Sequence, residues 1–178
     1  TTLFRSDIRV AGLIDANPAI KSLLDYPVTT SLPDGSGTST YMISIGDNAI
    51  RKRIAETGDM GNVHFTILAH PQSTVSSRAQ IGEGTVVMAG ATLNIEVQIG
   101  RHCIINTNAS VDHDCVIDNF VHISPNAALA GNVHVGEGTH IGIGASVIQG
   151  VRIGRWATIG AGAVIIRDVP DGATVVGN

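Results

Sequence analysis

Aromatic residues are scarce in this chain, at 3% of its 178 residues, whereas hydrophobic residues make up 43%. A sizeable core is therefore possible, but branched aliphatic side chains must fill it. An excess of basic residues is also absent, because the formal net charge is -4, which argues against a nucleic-acid partner. Long apolar runs are missing and Thr1 to Arg9 lack the layout of a signal peptide, so neither a membrane span nor a secretion signal is predicted.

What the sequence does contain is a six-residue repeat that keeps one phase from position 75 to position 165. An aliphatic residue occupies every sixth position, in sixteen of sixteen cases: Val75, Ile81, Val87, Leu93, Ile99, Ile105, Val111, Ile117, Ile123, Leu129, Val135, Ile141, Val147, Ile153, Ile159 and Ile165. Four residues after each lies a second column of small or β-branched residues: Ala79, Thr85, Ala91, Val97, Cys103, Ala109, Cys115, Val121, Ala127, Val133, Thr139, Ala145, Val151, Ala157, Ala163 and Val169. A period of six fits neither an α-helix nor a simple alternating strand, and it is typical of a β-solenoid.

The two columns predict how the chain winds. If each hexad is a short strand and a corner, three hexads form a triangular coil with the aliphatic column inside and the small column in the corners. Successive coils then stack at roughly 4.8 Å, and sixteen hexads give about five coils. Glycine often follows the aliphatic residue directly, at a point where we expect a turning backbone to benefit from the missing Cβ: Gly82, Gly100, Gly136, Gly142, Gly154 and Gly160.

Both cysteines of the chain, Cys103 and Cys115, belong to the small column. They lie two hexads apart and therefore on different sides of a coil. We interpret them as packing residues of a reduced, cytoplasmic protein, rather than as a disulfide or a metal site.

Residues 1–70 do not follow the repeat, and they predict a small, apparently incomplete α/β unit of the Rossmann type ahead of a solenoid domain at 71–178. Strands are expected at 8–14, 40–45 and 63–69, with a surface loop at 31–39 and a helix at about 48–57 capped by Asp47. In a parallel sheet, ligands bind beyond the carboxyl ends of the strands, and Asp15 and Asp47 lie at such ends. No glycine-rich phosphate loop precedes the first strand, so the opening βα element of such a unit is expected to be missing.

Five of the seven histidines fall in the solenoid, and none of these five belongs to either interior column. Each is therefore expected on a face or a corner, open to a ligand: His102, His113, His122, His134 and His140.

His113 stands between two acids in Asp112-His113-Asp114, where a carboxylate can accept the Nδ1 proton, fix the tautomer and raise the basicity of the ring. The alternative is an acidic patch on a turn. Gly131, eighteen residues on, brings a backbone without a side chain beside His113, where an N–H group could meet an oxyanion. An ordinary corner glycine is the alternative there.

His122 and His140 are also eighteen residues apart, and so stack on adjacent coils. At least one of the pair should be neutral near pH 7. A zinc site is not predicted, because the hexapeptide-repeat carbonic anhydrases use two histidines four residues apart, and the solenoid gaps here are 11, 9, 12 and 6.

Three segments carry a resemblance to a known family: INTNASVDHDCVI at 105–117, VHISP at 121–125 and LAGNV at 129–133. They resemble the sialic-acid O-acetyltransferase type family of hexapeptide-repeat acyltransferases, whose members include N-acetyltransferases of nucleotide-linked 4-amino-sugars. The segments IGAGAV at 159–164 and VVGN at 175–178 fit as well, and GLID at 12–15 with IGDN at 45–48 is similar to the family's nucleotide-sugar domain. The resemblance implies a mostly β fold, a left-handed parallel β-helix. Periodicity alone does not supply that hand, since right-handed crossovers are the general rule.

For function, the resemblance implies a cytoplasmic, acetyl-CoA-dependent, metal-free homotrimer with its sites between subunits, active in bacterial surface glycan synthesis. By matching position, His113 would be the general base and Asp114 would orient it. The other residues implied are, for the substrate, His122, Gly131, Asn106, Asp15 and Asn17, and, for acetyl-CoA, Gly131, His122, Gly142, Ala161 and Gly162. Arg152, Arg155 and Arg167 could meet CoA phosphates.

The acceptor predicted is the amine of a nucleotide-linked 4-amino-sugar, attacked directly and without an acyl-enzyme. One alternative is an O-acetyltransferase of sialic acid or a related sugar. A more remote alternative is a non-catalytic solenoid scaffold, which would bind no acetyl-CoA.

Overall fold

A computed structural model describes residues 8–32, 39–57 and 63–177 of the chain. Residues 68–175 wind into a parallel β-helix with three faces, which the chain visits in the order first, second, third in every coil. The first face holds β6 (Leu68–Ala69), β9 (Val86–Val87), β12 (Ile104–Ile105), β15 (His122–Ile123), β18 (His140–Ile141), β21 (Thr158–Ile159) and β23 (Thr174–Val175). The second holds β7 (Thr74–Val75), β10 (Thr92–Leu93), β13 (Ser110–Val111), β16 (Ala128–Leu129), β19 (Ser146–Val147) and β22 (Val164–Ile165). The third holds β8 (Gln80–Ile81), β11 (Gln98–Ile99), β14 (Val116–Ile117), β17 (His134–Val135) and β20 (Arg152–Ile153).

The interior is built from the two predicted columns. From Val87 to Ile165 the aliphatic residues are at most 5% exposed, and the small column from Ala91 to Ala163 is equally buried. Each fully buried branched aliphatic stabilises the fold by roughly 1.5 to 3 kcal/mol. Thr139 shows how a polar member fits, because its hydroxyl donates to Gly154 O at 2.6 Å and accepts the Ala157 N–H at 3.0 Å. The predicted core is confirmed.

The β-helix extends further at both ends than the sixteen hexads indicate. The predicted strand at 63–69 is wrong as a single element, because it divides into β5 (His64–Phe65) and β6, and β6 pairs with β9 of the first face. At the other end β23 pairs with β21. With seven strands on the first face, the coil count exceeds the five expected.

The glycines that directly follow the aliphatic column serve a different purpose from the one predicted. A Cβ on Gly82 would lie 2.6 Å from the carbonyl carbon of Gly100 in the next coil, so the constraint is the close approach of stacked backbones. The left-handed turn conformation comes two residues later, as at Gly84 with φ of +70°. Side-chain-bearing residues also adopt this conformation at corners, and Asp114 does so with φ of +58°.

The N-terminal region does not form one parallel sheet in the described residues, so the Rossmann-like unit is not confirmed. Its elements are β1 (Leu13–Ile14), β2 (Ser22–Leu23), β3 (Tyr26–Thr29), β4 (Thr40–Tyr41), α1 (Asn48–Glu56) and β5. A mixed sheet has the order β1-β3-β2, and β4 pairs with β5 separately. The predicted strands at 8–14 and 40–45 are much shorter than expected. The predicted loop at 31–39 lies partly outside the described residues.

Helix α1 is where sequence reasoning succeeded in this region. It begins after Asp47, whose Oδ1 accepts the Ile50 N–H at 2.8 Å, and it ends before Thr57. Asp47 is thus a helix cap, which satisfies one of the free N–H groups of the first turn. Across 8–32, 39–57 and 63–177, no helix has the length and apolar character needed to cross a bilayer.

α1 docks on the corner that leads from the third face to the first, which we call the 3–1 corner (residues 100–103, 118–121, 136–139 and their equivalents). Asn48 Nδ2 donates to Gly138 O at 3.0 Å, and Lys52 pairs with Glu137 at 2.5 Å. Arg51, 1% exposed, donates to His102 O at 2.8 Å and to Phe120 O at 3.0 Å. Three residues on one side of the helix therefore bind three successive coils.

His102 is fully buried beneath this docked region, so the expectation that all five solenoid histidines are open to ligands is wrong for this one. Its ring lies 4.6 Å from Phe65 and 5.2 Å from Phe120, measured between ring centroids. Neither ring nitrogen has a hydrogen-bond partner among the described residues. Burial lowers the pKa of His102 to about 4.

Acid is expected to weaken the fold through His102. Its folded pKa of about 4 lies below the ordinary histidine value of 6.5, so the stability from the neutral buried ring is complete above pH 6.5 and is lost as pH falls toward 4. The loss corresponds to roughly 3 kcal/mol by pH 4. Urea unfolding at pH 7 and pH 4 should show this difference in wild type and a smaller one in His102→Phe. An equal pH dependence in the two proteins would contradict it, and His64→Phe, at an exposed position, is the control.

Candidate active site

His113 lies on the corner between the second and third faces, which we call the 2–3 corner (residues 94–97, 112–115, 130–133 and their equivalents). Its Nδ1 is 2.8 Å from Asp114 Oδ2, and its side chain is 54% exposed. The left-handed backbone of Asp114 belongs to this tight corner. On the other side, Asp112 Oδ1 accepts the His113 N–H at 2.8 Å and the Asn94 side-chain N–H at 2.7 Å. Two carboxylates therefore fix the backbone and the ring of one histidine.

The second nitrogen of His113 is available for chemistry. Since Asp114 receives the Nδ1 proton, the neutral ring presents Nε2 as an acceptor. The hydrogen bond to Asp114 raises the pKa of His113, and Asp112 adds to the effect. A Cβ on Gly131 would lie 2.5 Å from Nε2 and from Cε1, so the ring occupies the space beside the glycine as predicted. The Gly131 N–H makes no hydrogen bond within the described part of the chain.

His122 and His140 form a second cluster, on the first face. Their ring centroids are 4.8 Å apart. Asn106 Oδ1 accepts the Thr107 N–H, which turns the Asn106 amide N–H toward His122 Nε2 at 3.0 Å. Nε2 therefore accepts, and Nδ1 carries the proton of the neutral ring. His140 Nε2 lies 3.0 Å from the buried Ser124 hydroxyl, a partner that sequence reasoning missed.

Both rings of this cluster are neutral near pH 7. Burial is the main cause that lowers the pKa of His122 to about 4, and the proximity of His140 comes second. Burial followed by the charge of Arg51 lowers the pKa of His140. The predicted neutrality is confirmed, but desolvation contributes more to it than repulsion within the pair.

The two clusters lie on opposite sides of the prism. His113 is on the 2–3 corner, and the first face, which carries His122, is the face opposite that corner. One chain therefore does not bring His113 and His122 to a single point. Gly131 lies beside His113, whereas Asn106 lies beside His122.

The residues implied for acetyl-CoA divide in the same way. Gly142, Ala161 and Gly162 lie on the corner between the first and second faces, where a Cβ on Gly142 would be 2.7 Å from Ala161 N. The implied arginines are scattered over the third face and two corners. On the third face, Nη1 of Arg152 lies 3.3 Å from His134 Nδ1, beside a groove of about 440 Å³.

A groove of about 390 Å³ runs along the second face. Small outward side chains form its floor: Thr92, Ser110, Ala128 and Ser146. The groove also reaches Asp112, the neighbour of His113. A slender chain could therefore lie on this face with its end at His113.

In the N-terminal region, Asp15 follows β1 and its Oδ1 accepts the Asn17 N–H at 2.8 Å. Asn17 in turn accepts the Ala19 N–H at 3.0 Å. These contacts form a compact exposed turn at a strand end. No group of three or more potential metal ligands occurs within 8–32, 39–57 and 63–177.

Residues 132–167 match the family model of the bacterial transferase hexapeptide (six repeats). UDP-N-acetylbacillosamine N-acetyltransferase of Bacillus subtilis strain 168 is 49% identical over 49 residues, 28% of this chain and 23% of that relative. The aligned segment therefore spans about a quarter of the curated relative's length.

Solved structures match over more of the chain. The acetyltransferase domain of PglB from Neisseria gonorrhoeae FA1090, in complex with acetyl coenzyme A, is 40% identical, with a TM-score of 0.83 over 97% of this chain and 82% of that one. A histidine-to-asparagine variant of perosamine N-acetyltransferase from Caulobacter crescentus, in complex with CoA and GDP-perosamine, is 41% identical. Its TM-score is 0.77, over 80% of this chain and 68% of that one.

Proposed function

The chain belongs to the hexapeptide-repeat family of bacterial transferases, and we propose that it moves an acetyl group from acetyl-CoA to the amine of a nucleotide-linked 4-amino-sugar. The observation that carries this proposal is the exposed His113, whose Nδ1 is held by Asp114 and whose Nε2 lies beside Gly131. The solved relatives bound to acetyl-CoA, or to CoA and GDP-perosamine, support the two substrates. We place the reaction in bacterial surface glycan synthesis.

In this reaction Nε2 of neutral His113 takes a proton from the sugar amine as the amine nitrogen bonds to the thioester carbonyl carbon. The carbon–sulfur bond then breaks, and the protonated His113 returns the proton to the departing CoA sulfur. The products are an acetamido-sugar and CoA. Asp114 stabilises the protonated ring, and the Gly131 N–H steadies the carbonyl oxygen as negative charge develops.

Direct attack is favoured over an acyl-enzyme because neither cysteine is placed as a nucleophile. Cys115 is buried, and its thiol donates inward to Ala130 O at 3.2 Å. Burial raises the pKa of Cys103 to about 12 and also raises the pKa of Cys115, so the reactive thiolate is disfavoured in both. Two free buried thiols also agree with a cytoplasmic protein, which is the location that we propose.

We further propose that the enzyme is a homotrimer with each site between two subunits. The support is geometric: His113 and His122 lie on opposite sides of one prism, so a site that uses both residues needs two subunits. In that arrangement His113, Asp114 and Gly131 come from one chain. His122, Asn106, Gly142, Ala161 and Gly162 come from its neighbour, with the acetyl-CoA arm between them.

The N-terminal unit, residues 1–70, is proposed to hold the nucleotide part of the acceptor. Asp15 and Asn17 form an exposed turn after β1 and present polar groups for that purpose. Docking of α1 on the 3–1 corner places the loop before α1 next to the first face, on the same side of the prism as His122.

The direct test is an assay of CoA release from acetyl-CoA with UDP-, GDP- and dTDP-linked 4-amino-sugars, and with free sialic acid. We expect turnover with one of the nucleotide-linked amines and none with sialic acid. Turnover with sialic acid alone would indicate an O-acetyltransferase instead. Absence of acetyl-CoA binding by calorimetry would overturn the proposal and favour a non-catalytic scaffold.

A further inference from the structure

Asp112 holds two donors on a single carboxylate oxygen. Its Oδ1 accepts the His113 N–H at 2.8 Å and the side-chain amide N–H of Asn94 at 2.7 Å. Asn94 lies eighteen residues before Asp112, so the two residues occupy equivalent positions on successive coils of the 2–3 corner. A hydrogen bond to an ionised acceptor is roughly twice as strong as one between neutral groups. Asn94 therefore ties the residue that precedes His113 to the coil before it.

The β-helix itself does not require this amide–carboxylate pair. The backbone ladder is independent of the side chain, because the Asn94 N–H donates to Val111 O at 3.0 Å. Equivalent positions on the three following coils carry apolar side chains instead: Ala130, Ile148 and Ile166. Ile148 is 39% exposed and Ile166 is 66% exposed, so the fold tolerates even an unpartnered apolar residue at this position. The polar bridge is therefore a property of the His113 coil and not of the repeat.

The His113 N–H depends on the Asp112 carboxylate. Among the described residues this N–H has no backbone acceptor, whereas the Asp114 N–H donates to Ile95 O at 3.1 Å. Asp114 also has a left-handed backbone, with φ of +58°, which residues with a side chain adopt at a cost. Two side chains thus orient His113, Asp112 at the backbone and Asp114 at Nδ1. If Asp112 turned away, Asp114 alone would hold the ring.

Asn94 is the contact that keeps Asp112 from turning away. A carboxylate that accepts only from the next residue in the chain can still rotate with it, whereas a second donor on another coil restricts that rotation. The His113 N–H first, and the Asn94 amide second, lower the pKa of Asp112, so the carboxylate stays ionised near pH 7. Asn94 and Asp112 both line the groove of about 390 Å³ on the second face. The tethered carboxylate therefore stands where this groove meets His113.

We infer that Asn94 is a positioning residue for His113: through Asp112 it fixes the corner backbone that carries the imidazole ring. This inference rests on the proposed function, in which His113 is the general base. Asn94 Nδ2 is 2.7 Å from Asp112 Oδ1, which is 2.8 Å from the His113 backbone nitrogen, so every link is a hydrogen bond. A base held in this way needs less reorganisation before it takes the proton of the amine.

The test is a double-mutant cycle in the full chain. Asn94→Ala removes the amide donor, Asp112→Ala removes the carboxylate, and the double variant removes both. Asn94→Asp keeps the size of the side chain but replaces the donor by a second carboxylate, which repels Asp112. Asn119→Ala is the matched control, because Asn119 Oδ1 also bonds to an adjacent coil, where it accepts the Arg101 N–H at 2.8 Å on the remote 3–1 corner.

We expect Asn94→Ala to lower kcat about fivefold and Asp112→Ala about tenfold, with KM for the amino-sugar and acetyl-CoA affinity within about twofold of wild type. The double variant should match Asp112→Ala, because Asn94 acts only through Asp112. In ¹⁵N-histidine spectra, His113 should change from a single Nδ1–H tautomer to a mixture, and its titration should move to lower pH as the bond to Asp114 loosens. Asn94→Asp should lose at least as much kcat as Asn94→Ala, and Asn119→Ala should change neither kcat nor the spectrum.

The inference is overturned if Asn94→Ala retains the kcat and the His113 spectrum of wild type. It is also overturned if the losses of the two single variants multiply in the double variant, or if Asn94→Ala raises KM alone, since Asn94 would then act on the substrate directly. Should Asn94→Ala not fold, Asn94→Asp decides the question by the same measurements. A wild-type protein without transferase activity would instead refute the proposed function, while the His113 spectra of the same variants would still test the positioning.

Discussion

Replacement of His113 by alanine is expected to lower turnover at least tenfold while acetyl-CoA binding is retained. The variant removes the nitrogen that accepts the proton of the attacking amine, and proton transfer of this kind typically contributes about 10² to 10⁴ in rate. An amine is a good nucleophile once it is neutral, so the loss should be smaller than for a hydroxyl acceptor. Steady-state kinetics and calorimetry measure the two quantities, and His64→Ala, at an exposed position, is the control.

The pH profile makes this expectation sharper. Since the hydrogen bond to Asp114 raises the pKa of His113 above the ordinary histidine value of 6.5, the base is increasingly protonated, and so inactive, as pH falls through that raised pKa. The acid limb of kcat/KM should therefore lie above pH 6.5 in wild type. Asp114→Asn removes the largest cause of the shift and should move the limb to lower pH. Turnover of His113→Ala equal to wild type across the pH range would exclude His113 from the mechanism.

The β-helix itself was predictable because its rule is local. Each hexad repeats the same requirement, so Val87 to Ile165 identify the interior without knowledge of any contact. The left-handed hand came from the family resemblance, which the match to the PglB domain bears out. At the two ends the sequence does not assign β6 and β23 to the β-helix, and only their pairing with β9 and β21 shows that they belong to it.

The part of the candidate site that was predictable consists of residues eighteen positions apart, because these occupy equivalent positions on adjacent coils. That spacing placed Gly131 beside His113 and His140 beside His122, and the structure has both contacts. His102 was misjudged because Phe65, which covers it, lies outside the repeat. Arg51 was missed because two of its acceptors are backbone carbonyls 51 and 69 residues away. Every residue has a backbone carbonyl, so the sequence does not indicate which one accepts a hydrogen bond. The roles of these residues stay predictions.

Mixed oligomers of two inactive chains are expected to recover activity. If each site takes His113 from one chain and His122 from its neighbour, His113→Ala and His122→Ala chains supply what the other lacks. In a ring assembled at random from equal amounts, about one quarter of the sites join an intact His113 to an intact His122. Since each homo-oligomer should retain at most about a tenth of wild-type turnover, recovery to about a quarter is measurable.

The control for this experiment uses two defects from one side of the site. A mixture of His113→Ala and Asp114→Asn chains should recover nothing beyond the residual activity of the parents, since both residues belong to the same 2–3 corner. Co-expression with two affinity tags, followed by native mass spectrometry, isolates oligomers that contain both chains. If verified mixed oligomers of His113→Ala and His122→Ala stay as inactive as their parents, a site within one subunit follows. Because the two histidines lie on opposite sides of one prism, such a site would have to work without one of them.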